Sequence, residues 1–295
     1  PMNPEKSVRE YRADELAALV PLPAADANKY TRGTLTAVVG SERYPGAACL
    51  AAAASQRAGA GYTEVVTHPA AVDLVRAWRP SLVVLPRAAL SEALAPAREG
   101  RPRACLVGCG FDVRDEESEP IVRAVLEQAQ IPVVVDGSGL DALACEEGRL
   151  LLRRRFEEGL PTVVTPHAGE ATRLARPLGL PSDDPCALAQ SLSLALGVVA
   201  LVKGPVTYAS DGDEIVRMAH GTPALAKAGT GDVLAGLVGA LLAQGADALD
   251  AAVFGAELHA RAGRVAAARL TDVAVIAEDV LEAVPRAIAE LLREA

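Results

Sequence analysis

Short apolar runs alternate with longer segments of helical periodicity along this chain. The first run, residues 34–39, is followed by an alanine-rich segment of helical pattern at residues 46–57, and together they predict a βα unit. Further buried strands are predicted at residues 63–67, 81–85, 104–107, 131–135, 162–165 and 198–202. This alternation predicts an α/β fold in which helices cover both faces of a mostly parallel central sheet.

The pattern changes after residue 203. Two strand candidates at residues 206–210 and 214–218 are separated by Asp211-Gly212-Asp213, and an Asp-Gly pair is typical of a hairpin turn. We therefore expect an antiparallel edge on the otherwise parallel sheet. From residue 231 onward the periodicity predicts helix, with Pro285 as the only interruption.

The length of 295 residues suits one α/β domain, and no Gly/Ser/Pro-rich linker or internal repeat divides the chain. We expect a single domain over residues 1–295, with residues 1–28 as an N-terminal extension or helix.

Acidic side chains outnumber basic ones by 38 to 29, and the formal net charge is −9. This balance, without a Lys/Arg block, argues against nucleic acid as a partner.

The N-terminal residues lack the apolar core of a signal peptide, and the chain contains no apolar run long enough to span a bilayer. A cytoplasmic protein with no membrane partner is therefore expected.

The five cysteines are scattered, and Cys105 and Cys109 lack the second pair that would complete a zinc site. We expect reduced thiols, most of them buried.

Small and polar residues follow four of the predicted strands. They occupy residues 40–48, 108–110, 136–139 and 166–170. Because ligands bind beyond the carboxyl ends of the strands in open α/β sheets, these segments are expected to converge on one binding edge. Glycines after strands also turn the chain without any ligand, so each segment taken alone is ambiguous.

The most specific signal is Gly229-Thr230-Gly231-Asp232, which leads directly into a long apolar helix. Glycines allow backbone N–H groups to point inward together, and a helix N-terminus adds a positive dipole end. The loop therefore predicts an anion hole for a negatively charged transition state. Asp232 is either an N-terminal cap or a base that takes a proton from a substrate hydroxyl.

This loop resembles the anion-hole motif of the ribokinase-like superfamily. Four further segments resemble motifs of its ADP/ATP-dependent NAD(P)H-hydrate dehydratase branch, in the same order: Lys29-Tyr30-Thr31-Arg32-Gly33, Tyr44-Pro45-Gly46-Ala47, Arg57-Ala58-Gly59-Ala60-Gly61 and Thr165-Pro166-His167-Ala168-Gly169-Glu170. The resemblance implies a ribokinase-like three-layer sandwich. It also implies repair of hydrated NADH or NADPH, by phosphorylation of the nicotinamide C6 hydroxyl and elimination of phosphate.

Site roles follow from the same resemblance. The implied contacts to the hydrated dinucleotide are Ala47, Gly110, His167 and Asp232. The implied contacts to ADP or ATP are Lys203, Gly204, Pro205, Val206, Thr207 and Gly231. Catalysis is assigned to Asp232 with Gly229 and Gly231, and Glu170 is the candidate to orient Mg²⁺, through water or directly.

Two positions depart from the family pattern. Ser138 stands where the family has a second acidic residue in Asp136-Gly137-Ser138-Gly139-Leu140, and Cys109 replaces proline in Gly108-Cys109-Gly110. We expect these changes to alter affinity rather than abolish activity. The alternatives are a small-molecule kinase of the same fold, acting on a sugar or vitamin precursor, and an inactive nucleotide-binding module.

Assembly is predicted from the resemblance alone. It favours a homo-oligomer, with a tetramer preferred. The chain lacks room for an epimerase domain, so an epimerase partner is expected to be a separate protein.

Overall fold

The computed structural model describes residues 8–294, which build one ten-stranded sheet with the order β1-β10-β9-β8-β7-β6-β5-β2-β3-β4. All nine predicted strands are present, with ends shifted by at most two residues. The strands are β1 (Val8–Arg9), β2 (Thr34–Val38), β3 (Tyr62–Thr67), β4 (Val83–Pro86), β5 (Arg103–Val107), β6 (Val133–Val135), β7 (Thr162–Val164), β8 (Val199–Val202), β9 (Thr207–Ser210) and β10 (Ile215–Met218).

Helices cover both faces of the sheet, which confirms the predicted α/β class. They are α1 (Ala13–Ala18), α2 (Pro45–Arg57), α3 (Val72–Trp78), α4 (Leu90–Ala93), α5 (Ser118–Gln128), α6 (Glu146–Glu157), α7 (Ala168–Ala175), α8 (Pro185–Leu196), α9 (Thr230–Ala243), α10 (Ala248–Ala274) and α11 (Ala277–Glu294). Helices α1 to α3 and α9 to α11 pack on one face, and α4 to α8 pack on the other.

The two cores follow from the two-residue period of the strands. In β2, Leu35 and Ala37 join the core beneath α2 and α9, whereas Val38 joins the opposite core. Strand β5 alternates in the same way, with Leu106 on the first face and Cys105 on the second. Both faces are buried, so these strands read as continuous apolar runs.

The antiparallel edge predicted after residue 203 is present. Strand β9 runs antiparallel to both β8 and β10, and the turn between β9 and β10 contains Gly212 with a φ of 97°. The outermost strand is nevertheless β1, which pairs with β10 in parallel. The segment predicted as an N-terminal extension or helix thus contributes both β1 and α1, while residues 1–7 lie outside the described part of the chain.

The prediction that Pro285 alone interrupts the C-terminal helices is wrong. Pro285 lies inside α11, and the breaks fall between α9, α10 and α11, with one more at Thr271 (φ 70°), a non-helical residue near the end of α10. Gly245, with a φ of 92°, ends α9, and the Gly245 and Ala246 amides donate to the Leu242 and Leu241 carbonyls. This pattern is a Schellman motif, which terminates a helix independently of proline.

All five cysteines are free thiols, and three of them (Cys49, Cys105 and Cys109) are buried, as predicted. Cys186 is half-buried, and the exposed Cys145 caps the start of α6, where its sulfur accepts from the Gly148 amide.

None of the helices in the described residues is both long and apolar enough to cross a membrane.

Candidate active site

The loops after β5, β6, β7 and β8 meet at one edge of the sheet, around the Asp136 carboxylate. Asp136 directly follows β6 and is only 3% exposed. Its Oδ1 accepts from Lys203 Nζ at 2.7 Å and from Thr165 Oγ1 at 2.6 Å. Its Oδ2 accepts from the Cys109 thiol at 3.6 Å. Asp136 therefore links the end of its own strand, β6, to the ends of β5, β7 and β8.

Lys203 is the cation of this cluster. Its side chain is 19% exposed. Its Nζ lies close to Gly231, since a Cβ added to Gly231 would be 3.6 Å from it. Burial lowers the pKa of Lys203, but the Asp136 and Glu170 carboxylates outweigh burial and hold that pKa above its ordinary value. A permanently charged ammonium group thus lies over the first turn of α9.

The start of α9 is a tight loop that begins with glycine. Gly229 is the N-cap, with a φ of 90°, and a Cβ there would lie 2.8 Å from Leu50 Cδ1. The left-handed backbone favours glycine, and a Cβ would also displace the end of the Leu50 side chain. Thr230 Oγ1 donates to the Leu225 and Lys227 carbonyls, which holds the loop closed. The Thr230 amide donates to the Lys227 carbonyl at 3.4 Å, whereas the next amides of the first turn, those of Gly231 and Asp232, have no partner within their own helix and can face an anion beside Lys203.

Asp232 is the third residue of α9, and the N-cap is Gly229. Asp232 therefore does not occupy the cap position. Carboxylate oxygens of Asp232 and Asp136 and the Cys109 sulfur lie within 4.8 Å of one another. Burial and the Asp136 charge raise the pKa of Asp232 to about 7, against the opposing effects of Lys203 and Cys109. A carboxyl group with this pKa is suited to take up a proton near neutral pH.

Ala47 and Gly110, the predicted contacts to the dinucleotide, are neighbours. Gly110 has a φ of 66°, and a Cβ there would lie 2.4 Å from Ala47 Cβ and 2.9 Å from the Tyr44 carbonyl oxygen. Glycine is required because the loop after β5 presses directly on the start of α2. The Tyr44 side chain makes no capping bond to α2, so that helix also presents open amides to this edge.

His167 forms the N-cap of α7. Its Nδ1 accepts from the Gly169 and Glu170 amides, while Glu170 Oε2 accepts from the His167 amide, which completes a capping box. His167 Nε2 faces Glu170 Oε1 at 3.4 Å, and the imidazole is 57% exposed. The ring is accessible to a ligand while it caps α7, so the structural role does not exclude the predicted binding role.

His167 and Lys203 are adjacent across the sheet, because the Lys203 amide donates to the Pro166 carbonyl at 2.8 Å. The following residues, Gly204, Pro205 and Val206, form the turn into β9, where Thr207 Oγ1 donates to the Gly204 carbonyl at 3.3 Å. Gly204 and Pro205 are exposed. The segment predicted to hold the nucleotide therefore flanks the start of α9.

The donor set does not suit a magnesium ion held inside the aspartate cluster. Among the described residues, the group with metal-site spacing is Cys109, Asp136 and Asp232. Mg²⁺ prefers oxygen ligands, whereas this group contains a thiol and is already neutralised in part by Lys203. Glu170 is an oxygen donor, 8% exposed, beside Lys203. A carboxylate oxygen is the type of ligand that Mg²⁺ prefers.

Sequence reasoning missed the central role of Asp136, although its signal was present: an acidic residue directly after a buried strand. It also missed His259 of α10, a buried histidine. Burial and the Lys203 charge lower the pKa of His259 to about 4, and its ring contacts the Thr230 backbone. A lone histidine in an apolar helix gave no sequence signal to distinguish it from any core residue.

Two segments that indicated the dehydratase branch lie away from this cluster. Residues 29–33 precede the amino end of β2 and residues 57–61 precede that of β3, so both lie at the opposite edge of the sheet. They contact each other closely, since a Cβ on Gly61 would lie 2.3 Å from the Lys29 carbonyl oxygen. In the described structure the two segments pack against each other.

Comparison with known proteins extends this picture. The NAD(P)H-hydrate dehydratase family matches residues 35–286. An ADP-dependent (S)-NAD(P)H-hydrate dehydratase from Xanthomonas campestris is 31% identical over 306 residues, covering 97% of this chain and 98% of that protein. A bifunctional NAD(P)H-hydrate repair enzyme from Mycobacterium leprae is 34% identical, covering 90% of this chain and 52% of that protein. The chain spans about half the length of the bifunctional relatives it matches.

Solved structures of related proteins have the same fold as this chain. An ADP/ATP-dependent NAD(P)H-hydrate dehydratase from Bacillus subtilis, co-crystallised with ATP/Mg²⁺, superposes with a TM-score of 0.80 at 25% identity, covering 99% of this chain and 100% of that one. A ribokinase-like superfamily protein from Enterococcus faecalis superposes with a TM-score of 0.79 at 24% identity, covering 96% of each chain. The fold is therefore the predicted ribokinase-like three-layer sandwich, and the chain belongs to the NAD(P)H-hydrate dehydratase family.

Proposed function

We propose that this protein restores NADH and NADPH from their hydrated forms, using an adenine nucleotide as phosphoryl donor. The observation that carries the proposal is the juxtaposition of Asp232, with its pKa near 7, and the charged Lys203 at the open start of α9. A base for a hydroxyl and a site for a phosphoryl group thus lie side by side. Membership of the dehydratase family supplies the substrate class.

In the proposed reaction, Asp232 takes the proton of the C6 hydroxyl as the hydroxyl oxygen attacks the terminal phosphorus of the nucleotide. The bond from that phosphorus to the leaving nucleotide breaks. The α9 amides and Lys203 stabilise the negative charge on the transferred group. The C6–O bond then breaks with loss of inorganic phosphate, and loss of a ring proton restores the double bond.

Binding residues are proposed on the same basis. Ala47, Gly110 and His167 border the dinucleotide, and residues 203–207 with Gly231 border the nucleotide. Glu170 is proposed to orient Mg²⁺ through water, and the ion would supply charge neutralisation to the phosphates. The relative from Xanthomonas campestris is named as ADP-dependent, which supports ADP as the preferred donor.

The setting of the enzyme is proposed as well. The chain works as a single catalytic unit in the cytoplasm, as a homo-oligomer for which we favour a tetramer. Longer relatives are named as bifunctional NAD(P)H-hydrate repair enzymes, and functional pairing of this chain with an NAD(P)HX epimerase is part of the proposal.

Purified protein is expected to regenerate the near-ultraviolet absorbance of dihydronicotinamide from hydrated NADH when Mg²⁺ and ADP or ATP are present. Inorganic phosphate should appear in equal amount. Initial rates with matched nucleotide concentrations give the donor preference, and faster turnover with ATP would contradict the ADP preference.

No recovery of absorbance with either nucleotide would overturn the dehydratase assignment. The kinase alternative predicts a stable phosphorylated product instead of free phosphate, and product analysis of the same reaction separates the two. Binding of nucleotide without any turnover would support the inactive module.

His167→Ala is expected to raise the KM for hydrated dinucleotide and to lower thermal stability modestly, by about 1 kcal/mol, because the cap of α7 is lost. His167→Asn is the matched control, since asparagine is a good N-cap but lacks the imidazole. We expect it to keep the melting temperature and still raise the KM. Normal kinetics in His167→Asn would show that the histidine serves only as a cap.

A further inference from the structure

The loop after β5 places a buried thiol between the two aspartates of the candidate active site. Cys109 has no exposed surface. Its sulfur lies 3.6 Å from Asp136 Oδ2, and it lies within 4.8 Å of a carboxylate oxygen of Asp232. Gly108 and Gly110, both with positive φ, fix the loop on either side. Cys109 therefore faces both carboxylates from a buried position.

The thiol acts as a hydrogen-bond donor in this position. Burial and the Asp136 charge raise the pKa of Cys109 well above its ordinary value, so the sulfur keeps its proton. An ionised carboxylate has only acceptors, so the contact is S–H donation. Asp136 Oδ1 already accepts from Lys203 and Thr165. Among the described residues, the donor to its Oδ2 is Cys109.

We infer that Cys109 is a positioning residue. Its S–H group donates a hydrogen bond to Asp232 while Asp232 is ionised, and to Asp136 once Asp232 is protonated. The inference rests on the proposed function, because it treats Asp232 as the base. The S–H bond can rotate about the Cβ–S bond. It can donate to ionised Asp232 before proton transfer, and it turns to Asp136 once Asp232 has taken up the substrate proton.

The charged groups around Asp232 set the expected sign. Asp136 follows β6 and Lys203 follows β8, while the neutral His259 of α10 lies near Lys203. Burial and Asp136 raise the pKa of Asp232, whereas Lys203 and the hydrogen bond from Cys109 lower it. A donor favours the charged form of a carboxylate. Removing the S–H group should therefore make Asp232 harder to ionise.

The test compares Cys109→Ala and Cys109→Ser with Cys105→Ala. Cys105 is a matched control, because it lies in the adjoining strand β5, is equally buried, and has its thiol near the Leu106 carbonyl, away from both aspartates. The measured quantity is kcat/KM for hydrate repair as a function of pH. A structural thiol would change the melting temperature in both alanine variants and leave the pH profile unmoved.

Cys109→Ala is expected to move the acid limb of the profile upward by about 0.5–1 pH unit, because a thiol is a weak donor to a charged acceptor. The ratio of the rate at pH 6 to the rate at pH 8 should fall roughly 2.5- to fivefold. Cys109→Ser keeps a rotatable and stronger donor, so its limb should move to lower pH. Cys105→Ala should leave the limb in place.

A titration that needs no turnover separates this inference from the proposed function. In protein labelled with ¹³C at the aspartate carboxyl carbon, the resonance absent from Asp232→Asn belongs to Asp232. Its midpoint should rise in Cys109→Ala and fall in Cys109→Ser. An inactive parent protein that shows these shifts would contradict the dehydratase function and support the Cys109 contact.

An unchanged midpoint and acid limb in folded Cys109→Ala would overturn the inference, as would any Cys105→Ala shift of equal size. Should Cys109→Ala fail to fold, a Cys109→Ser midpoint above that of the parent protein would also overturn it.

Discussion

Asp232→Asn is expected to lower the turnover of hydrated NADH by about 10²- to 10⁴-fold, while the protein stays folded and binds both ligands. Asparagine preserves the size of the side chain and one carbonyl oxygen, but it cannot take up the substrate proton, and loss of a general base costs about this much. Initial rates and the affinities for nucleotide and dinucleotide, measured on the same preparation, check this result.

The pKa of Asp232 also gives the sign of the pH dependence in the parent protein. A base works in its ionised form, so the rate should rise with pH through about 7 and fall about tenfold per unit below it. Since this pKa is raised on folding, stability contributed by protonated Asp232 is lost as pH rises from the ordinary carboxyl range through about 7. Asp232→Asn should therefore not lower the melting temperature at neutral pH.

Asp73→Asn is the control for this variant. Asp73 also lies in the first turn of a helix, α3, but its side chain is 98% exposed. It should leave turnover and stability close to those of the parent protein. Near-normal turnover in folded Asp232→Asn would remove Asp232 from the mechanism and reopen the question of function.

The strands were predictable because each central strand is buried on both faces and therefore stands out as an apolar run. Strand β1 was not predictable, since it has two residues and both are exposed. The C-terminal helix boundaries failed for a different reason. Proline was expected to break the helix, but the middle of α11 accommodates Pro285, whereas the left-handed conformation of Gly245 ends α9. Backbone conformation, rather than residue type alone, decided these boundaries.

The candidate site was only half predictable. The glycines and Asp232 of the anion-hole loop lie next to one another in the sequence, so they can be recognised as one motif without knowledge of the fold. The ion pair of Asp136 and Lys203 joins residues 67 positions apart, and it exists because β6, β7 and β8 are neighbours in the sheet. Strand order is a property of the whole fold. The sequence therefore placed Lys203 among the nucleotide contacts without identifying the carboxylate that holds it.

Breaking the ion pair of Asp136 and Lys203 should have a large effect on both stability and turnover. Lys203→Met and Asp136→Asn are each expected to lower stability by about 3 kcal/mol, because truncating one partner leaves the other charge buried and unpaired. The side chains of Lys203 and Asp136 are only 19% and 5% exposed. A loss of this size corresponds to a fall of about 5–10 °C in melting temperature. Each single variant should also lose about 10²-fold or more in turnover, as expected when a charged donor beside a transferred group is removed or left unoriented.

The double variant Asp136→Asn/Lys203→Met distinguishes the structural contribution of the pair from its catalytic one. With neither charge present, no unpaired charge is buried, and Thr165 still has an amide oxygen to bond to, so at least half of the lost stability should return. Turnover should not return, because the ammonium group over the start of α9 is absent. Recovery of both quantities together would mean that Lys203 serves only to balance Asp136, and the phosphoryl site would then depend on the α9 amides alone.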